Sequence, residues 1–216
     1  MRNSLMVAAL LLGVHGANPG RVGAQDYSHR DFTIGQQSSV ELLGRMELPD
    51  LDVLTTIEDI CSHVGLKPNF VAYPANVPNA LAYAMGPNRV IMYNPEFIKR
   101  AHDRSDSPDW AAISVLTHEI GHHLQGHIFD NDRDFRQREL EADHFSGFML
   151  YRMGATLTET QAYPRAMMQD VETPSHPGRE LRMEMIEAGW RQAEAIHRHE
   201  QDLAQKRALR SPRRDD

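Results

Sequence analysis

The segment from Ser107 to Gly126 carries Ile113, Leu116, Ile120 and Leu124 at helical spacing behind a Ser107-Pro108-Asp109 start signal, and so reads as an amphipathic helix. Inside it stands His118-Glu119-Ile120-Gly121-His122. Residues four apart on a helix share a face one turn apart, so the two imidazoles can meet a single ion, and Zn²⁺ takes such nitrogen ligands. Glu119, next to the first histidine, projects beside that ion, in the position of a general base toward a metal-activated water. The plain alternative is a solvated His-rich helix whose motif is coincidental; it predicts no stoichiometric metal.

Two histidines leave a catalytic zinc short of a ligand. The next helical stretch, about Phe135 to Met153 with Gly154 as its stop, supplies Glu139-Leu140-Glu141-Ala142-Asp143. Glu139 and Asp143 are again four apart, so the first can ligate while the second holds a ligand histidine through its free ring nitrogen. Glu141 points about 200° away from Glu139 around the helix. His123, His127 and His144 are read as structural or solvated. His127 in particular falls at plus five from His122 instead of the plus six that a third-histidine zinc motif requires.

Around these helices the pattern gives a first helix from Leu51 to Val64, capped by Asp50 and ended by Gly65, and three short strands at Phe70-Val71-Ala72, Ala80 to Met85 and Arg89 to Tyr93. The last two strands form a hairpin across Gly86-Pro87-Asn88. Asn94-Pro95 opens a helix to about His102, and a long charged helix spans roughly Arg179 to Ala208.

With 216 residues, 41% of them hydrophobic and 25% charged, one globular domain with extensions is expected. The formal net charge of −7 argues against a nucleic-acid partner. Cys61 is the single cysteine, so no intramolecular disulfide can form, and its helical setting makes it a small buried hydrophobe. Arg2, the apolar run Leu5 to Val14 and Val22-Gly23-Ala24 read as a secretory signal over residues 1–24, cleaved after Ala24. A flexible lead at 25–49, a catalytic domain at 50–205 and a disordered basic tail at 206–216 complete the expected organisation. A periplasmic or secreted location without stable membrane insertion follows.

His118-Glu119-Ile120-Gly121-His122 followed by Glu139-Leu140-Glu141-Ala142-Asp143 resembles the gluzincin metallopeptidases, in the group of the HtpX-type and CAAX prenyl endopeptidases and their periplasmic relatives. Asn79-Ala80, Ser175-His176-Pro177 and Arg182 extend the likeness, which is to the bare catalytic domain. The resemblance implies one zinc per chain on His118, His122 and Glu139, with Glu139 preferred over Glu141, and an edge strand above the metal that an extended polypeptide can join. It also implies that His176 approaches the metal or the reacting carbonyl, where it would steady the oxyanion or keep the enzyme latent. The expected fold is α+β: a mainly helical, zincin-like single domain with a small antiparallel sheet beside the histidine-bearing helix. The expected function is zinc-dependent endopeptidase action on exported or misfolded proteins, taken as unfolded or extended polypeptide. The alternative is a chaperone-like binding or assembly factor with a latent zinc site.

Overall fold

The computed structural model describes residues 51–85, 88–130, 134–173 and 176–210. The proposed signal and lead, the Asp50 cap, Gly86-Pro87, Pro174-Ser175 and the last six residues of the basic tail lie outside them.

The chain begins with α1 (Leu51–Ser62), followed by β1 (Val71–Pro74), β2 (Ala80–Met85), β3 (Asn88–Tyr93) and α2 (Pro95–Arg104). Next come α3 (Pro108–Leu124), a 3₁₀ turn at His127–Phe129, α4 (Phe135–Arg152), α5 (Leu157–Thr160), α6 (Ala162–Met167) and α7 (Arg179–Arg210). The α+β architecture is as expected. The basic tail expected from residue 206 starts as the last turn of α7. Helices α5 and α6 were not foreseen, because elements of one or two turns are too short to show a period. None of the described helices is long and apolar enough to cross a membrane.

The sheet is mixed, which corrects the antiparallel expectation. Its order is β1-β3-β2, with β2 antiparallel and β1 parallel to β3. The cause is the connection over residues 75–79, which carries the chain past the central position to the far edge. The hairpin then returns β3 into the gap, running the same way as β1. Val90, Ile91, Met92 and Tyr93 are consequently all buried, alternate residues feeding the clusters on the two faces of the sheet. Asn94 locks the exit: its side chain accepts from the backbone N–H groups of Glu96 and Phe97, and its own N–H donates to Asn79 O at 2.7 Å.

Small residues set the distances between layers. On β2, Leu81 belongs to one cluster, whereas Ala80, Ala82 and Ala84 belong to others, Ala80 joining Val115, Leu116 and Ile120 of α3. A Cβ on Gly121 would lie 3.3 Å from the Ala142 Cα, so the glycine of the first motif and the alanine of the second form the contact that draws α3 and α4 together. Helix α7 crosses α4 closer still: a Cβ on Gly189 would lie 1.9 Å from the His144 carbonyl oxygen.

Candidate metal centre

His118 and His122, one turn apart on α3, bring their Nε2 atoms within 3.1 Å of each other. Glu139, carried in on α4 by the Gly121–Ala142 contact, places Oε2 at 3.3 Å from His118 Nε2 and Oε1 at 3.3 Å from His122 Nε2. A tetrahedral zinc with ligand bonds of about 2.0–2.1 Å separates its ligand atoms by about 3.3 Å. The three separations therefore fit one face of such a tetrahedron. The donor set of two imidazoles and a carboxylate suits zinc, and Glu139 Oε2 is a buried oxygen without a hydrogen-bond partner.

The electrostatics favour a cation there. Burial by itself would raise the Glu139 carboxyl, but His118 and His122 hold it well below the usual carboxylate range. Burial likewise opposes a charge on His118, and the neighbouring Asp143 and Glu139 overcome this, raising it to about 10. In the metal-free protein a proton on His118 thus stands where a metal ion would supply the positive charge.

Support comes from α4 and α7. Asp143 Oδ1 lies 3.0 Å from His118 Nδ1, the relationship expected from the four-residue spacing. Arg182 grips the same carboxylate, Nε donating to Oδ2 at 2.7 Å and Nη2 to Oδ1 at 2.8 Å, and also lies 3.5 Å from Glu139 Oε2. Burial raises the Asp143 carboxyl, and Arg182 with His118 more than reverses this.

Glu119 points into the same cleft but is not one of the three converging groups that could hold a metal. Its carboxylate accepts from the backbone N–H of Ala82 on β2, and burial pushes it up to about 7. His176 stands at the mouth, its side chain 30% exposed and Nε2 at 3.5 Å from Glu139 Oε2. The cleft, about 40 Å³, is lined on its other side by Asn79, Ala80, Leu81, Phe97, Val115 and Tyr163.

Several residues of this region escaped the sequence reading. Tyr163 rides on α6, an element that gave no periodic signal. His127, expected to be structural or solvated, is structural, but its contacts were not foreseen: it is buried, with Nδ1 at 3.0 Å from His122 Nδ1 and Nε2 at 2.9 Å from Glu141 Oε2. Its spacing excludes a ligand role, and spacing says nothing about supporting contacts. His123 is structural as expected, stacked on Phe70 with Nε2 at 3.0 Å from Val90 O. Cys61 is buried, and burial pushes its thiol up to about 11, away from nucleophilic chemistry.

Residues 48–132 match peptidase family M48, a stretch that takes in His118, Glu119 and His122 and stops before Glu139 and His176. No curated protein and no solved structure matches the chain.

Proposed function

From the match of residues 48–132 to peptidase family M48, we propose that this chain is a zinc metallopeptidase of that family and an endopeptidase for exported or misfolded polypeptides. The observation that carries this reading is the convergence of His118, His122 and Glu139 at tetrahedral spacing beside a separate buried carboxylate. His118, His122 and Glu139 hold one zinc. Bound zinc polarises a carbonyl and lowers the pKa of water toward neutrality.

The protein's own groups do the rest. Glu119, with its carboxyl near 7, is poised to take a proton from the attacking water and return it to the leaving amine. The Ala82 N–H fixes that carboxylate, so the base is aimed by the edge strand itself. His176, at the mouth, is placed to donate to the oxyanion.

The edge of β2 suits an extended peptide. Asn79 O accepts from Asn94, so residues 79, 81 and 83 turn their backbone groups toward β3 while 80, 82 and 84 turn theirs outward. Of the outward set Ala82 N–H serves Glu119, which leaves the groups of Ala80 and Ala84 for a substrate added as a strand. Asn79 Oδ1, buried at the cleft without a hydrogen-bond partner, is a further acceptor for a peptide N–H. Main-chain recognition of this kind selects extended chains irrespective of sequence. Export through the segment 1–24 is part of the proposal.

The test pairs two measurements on protein starting at Gln25: zinc per chain, and cleavage of unfolded casein by wild type and Glu119→Ala. Near one zinc with Glu119-dependent cleavage is expected. Cleavage by Glu119→Ala at the wild-type rate overturns the mechanism, and an absence of zinc overturns the site. A latent site, or the binding-factor alternative, is favoured by the small cleft and by His176 beside Glu139; its signature is full zinc occupancy, no cleavage, and suppression of client aggregation.

A further inference from the structure

The two histidines of the proposed centre are supported unequally. His118 meets a carboxylate directly, through Asp143, whereas on the far side of His122 stands another imidazole, His127, with Glu141 behind it. The 3₁₀ turn makes this possible. Gly126 takes φ +76, a left-handed backbone that favours glycine, and folds His127 back onto the helix it has just left. Arg138 fastens the turn, Nη1 donating to His127 O at 3.2 Å and to Asp130 O at 2.7 Å with its guanidinium over the Phe135 ring. On α4, Gln137 Nε2 donates to Glu141 Oε1 at 2.9 Å, and Gln125 Nε2 from the end of α3 donates to Glu141 O at 3.1 Å.

Proton bookkeeping then fixes the direction of the chain. His122 Nε2 faces His118 and Glu139, so that nitrogen presents its lone pair to a metal and the ring hydrogen must sit on Nδ1. His122 Nδ1–H donates to His127 Nδ1. His127 in turn carries its hydrogen on Nε2 and donates to Glu141 Oε2. We infer that His127 and Glu141 are positioning residues for the metal: a histidine-bridged carboxylate that sets the tautomer and ring angle of His122, as Asp143 does directly for His118. Glu141, ranked behind Glu139 as a ligand, thus acts one imidazole further out. Outer groups of this kind typically change metal affinity by about 10–100-fold.

The competing account makes His127 a satisfied core histidine that merely staples the turn to α4. The two accounts differ in what they do to the metal as opposed to the fold. The inference rests on the zinc-site reading above, and the experiment separates the two. Zinc affinity is measured by chelator competition for wild type, His127→Leu, His127→Asn and Glu141→Gln, alongside thermal unfolding of each metal-free protein and the visible spectrum of each Co²⁺ form. Asn keeps an acceptor near the position of His127 Nδ1 but cannot reach Glu141, and Gln keeps an acceptor for His127 without the charge.

The expected result is a loss of about 10–100-fold in zinc affinity for His127→Leu, with recovery in His127→Asn and a smaller loss in Glu141→Gln. The Co²⁺ bands should shift in His127→Leu at temperatures where every variant is folded. Equal affinities and unchanged Co²⁺ spectra across folded variants overturn the inference while leaving the zinc site standing. Affinity losses that follow only the metal-free melting temperatures, without rescue by Asn, likewise assign His127 to the fold. A wild type that binds no zinc overturns the site reading and this inference with it.

Discussion

Gly147 and Ile186 touch through their backbones: a Cβ on Gly147 would lie 1.9 Å from the Ile186 carbonyl oxygen. One turn earlier in each helix stand Asp143 and Arg182, joined by two hydrogen bonds. The crossing of α4 and α7 is therefore what holds the guanidinium against the carboxylate behind His118. A packing contact outside the cleft sets the geometry within it.

Gly147→Ala should consequently be costly in two ways. The clash is with main chain, which cannot swing aside, so a stability loss of at least about 2–3 kcal/mol is expected in urea unfolding. Zinc affinity should fall as well, because α7 can yield only by withdrawing Arg182. A variant as stable as wild type would show that the helices separate freely.

Arg182→Met tests the same pair from the other side. Asp143 would keep a buried carboxylate with His118 as its remaining close cation, and removing one partner of a buried pair costs about 3–5 kcal/mol. Adding Asp143→Asn to this variant should restore part of the stability, since the orphaned charge disappears. Strict additivity of the two losses would mean that the pair is not coupled.

Glu139 and Glu141 can be told apart by their neighbours. Glu139→Gln removes the charge that faces both Nε2 atoms, and zinc affinity should fall by more than about 100-fold, beyond what a supporting group contributes. Glu141→Gln should lose less. If the two losses came out in the reverse order, the ligand assignment would be wrong.

The legible parts of this protein were those written in local periods. Helices α1, α3, α4 and α7, the β2–β3 hairpin and the Asn94 cap all follow from spacing and start signals within one segment, and so do His118, His122, Glu139 and Asp143. What local spacing does not encode is how segments meet. The parallel placement of β1 depends on where a five-residue connection lands, and the closeness of α4 and α7 depends on Gly147 and Gly189, whose contacts no local period marks. His127 was judged by its distance from His122 along the chain, whereas its role comes from a left-handed glycine that folds it back. Tyr163 sits on a helix too short to announce itself.

His123 makes a final prediction about acid. Its Nε2–H donates to the Val90 carbonyl, Nδ1 is buried without a hydrogen-bond partner, and burial pushes its pKa from 6.5 down to about 4. Protonation would place a new donor and a charge where nothing receives them. Between about 4 and 6.5 the unfolded chain therefore binds a proton that the folded chain refuses, so stability is fully present above that window and is lost as pH falls through it. The full shift corresponds to on the order of 3 kcal/mol. His123→Phe keeps the stacking on Phe70 but removes the second donor to Val90 O, which retains the ladder N–H of Tyr83, so it should be less stable than wild type at pH near 7 by about 1 kcal/mol at most. It should nevertheless lose less between about pH 7 and 4.5. Urea unfolding of both proteins with the metal removed checks this, since the protonation of His118, His122 and Glu139 is then common to the two. Parallel losses in wild type and variant would show that His123 does not carry the acid response.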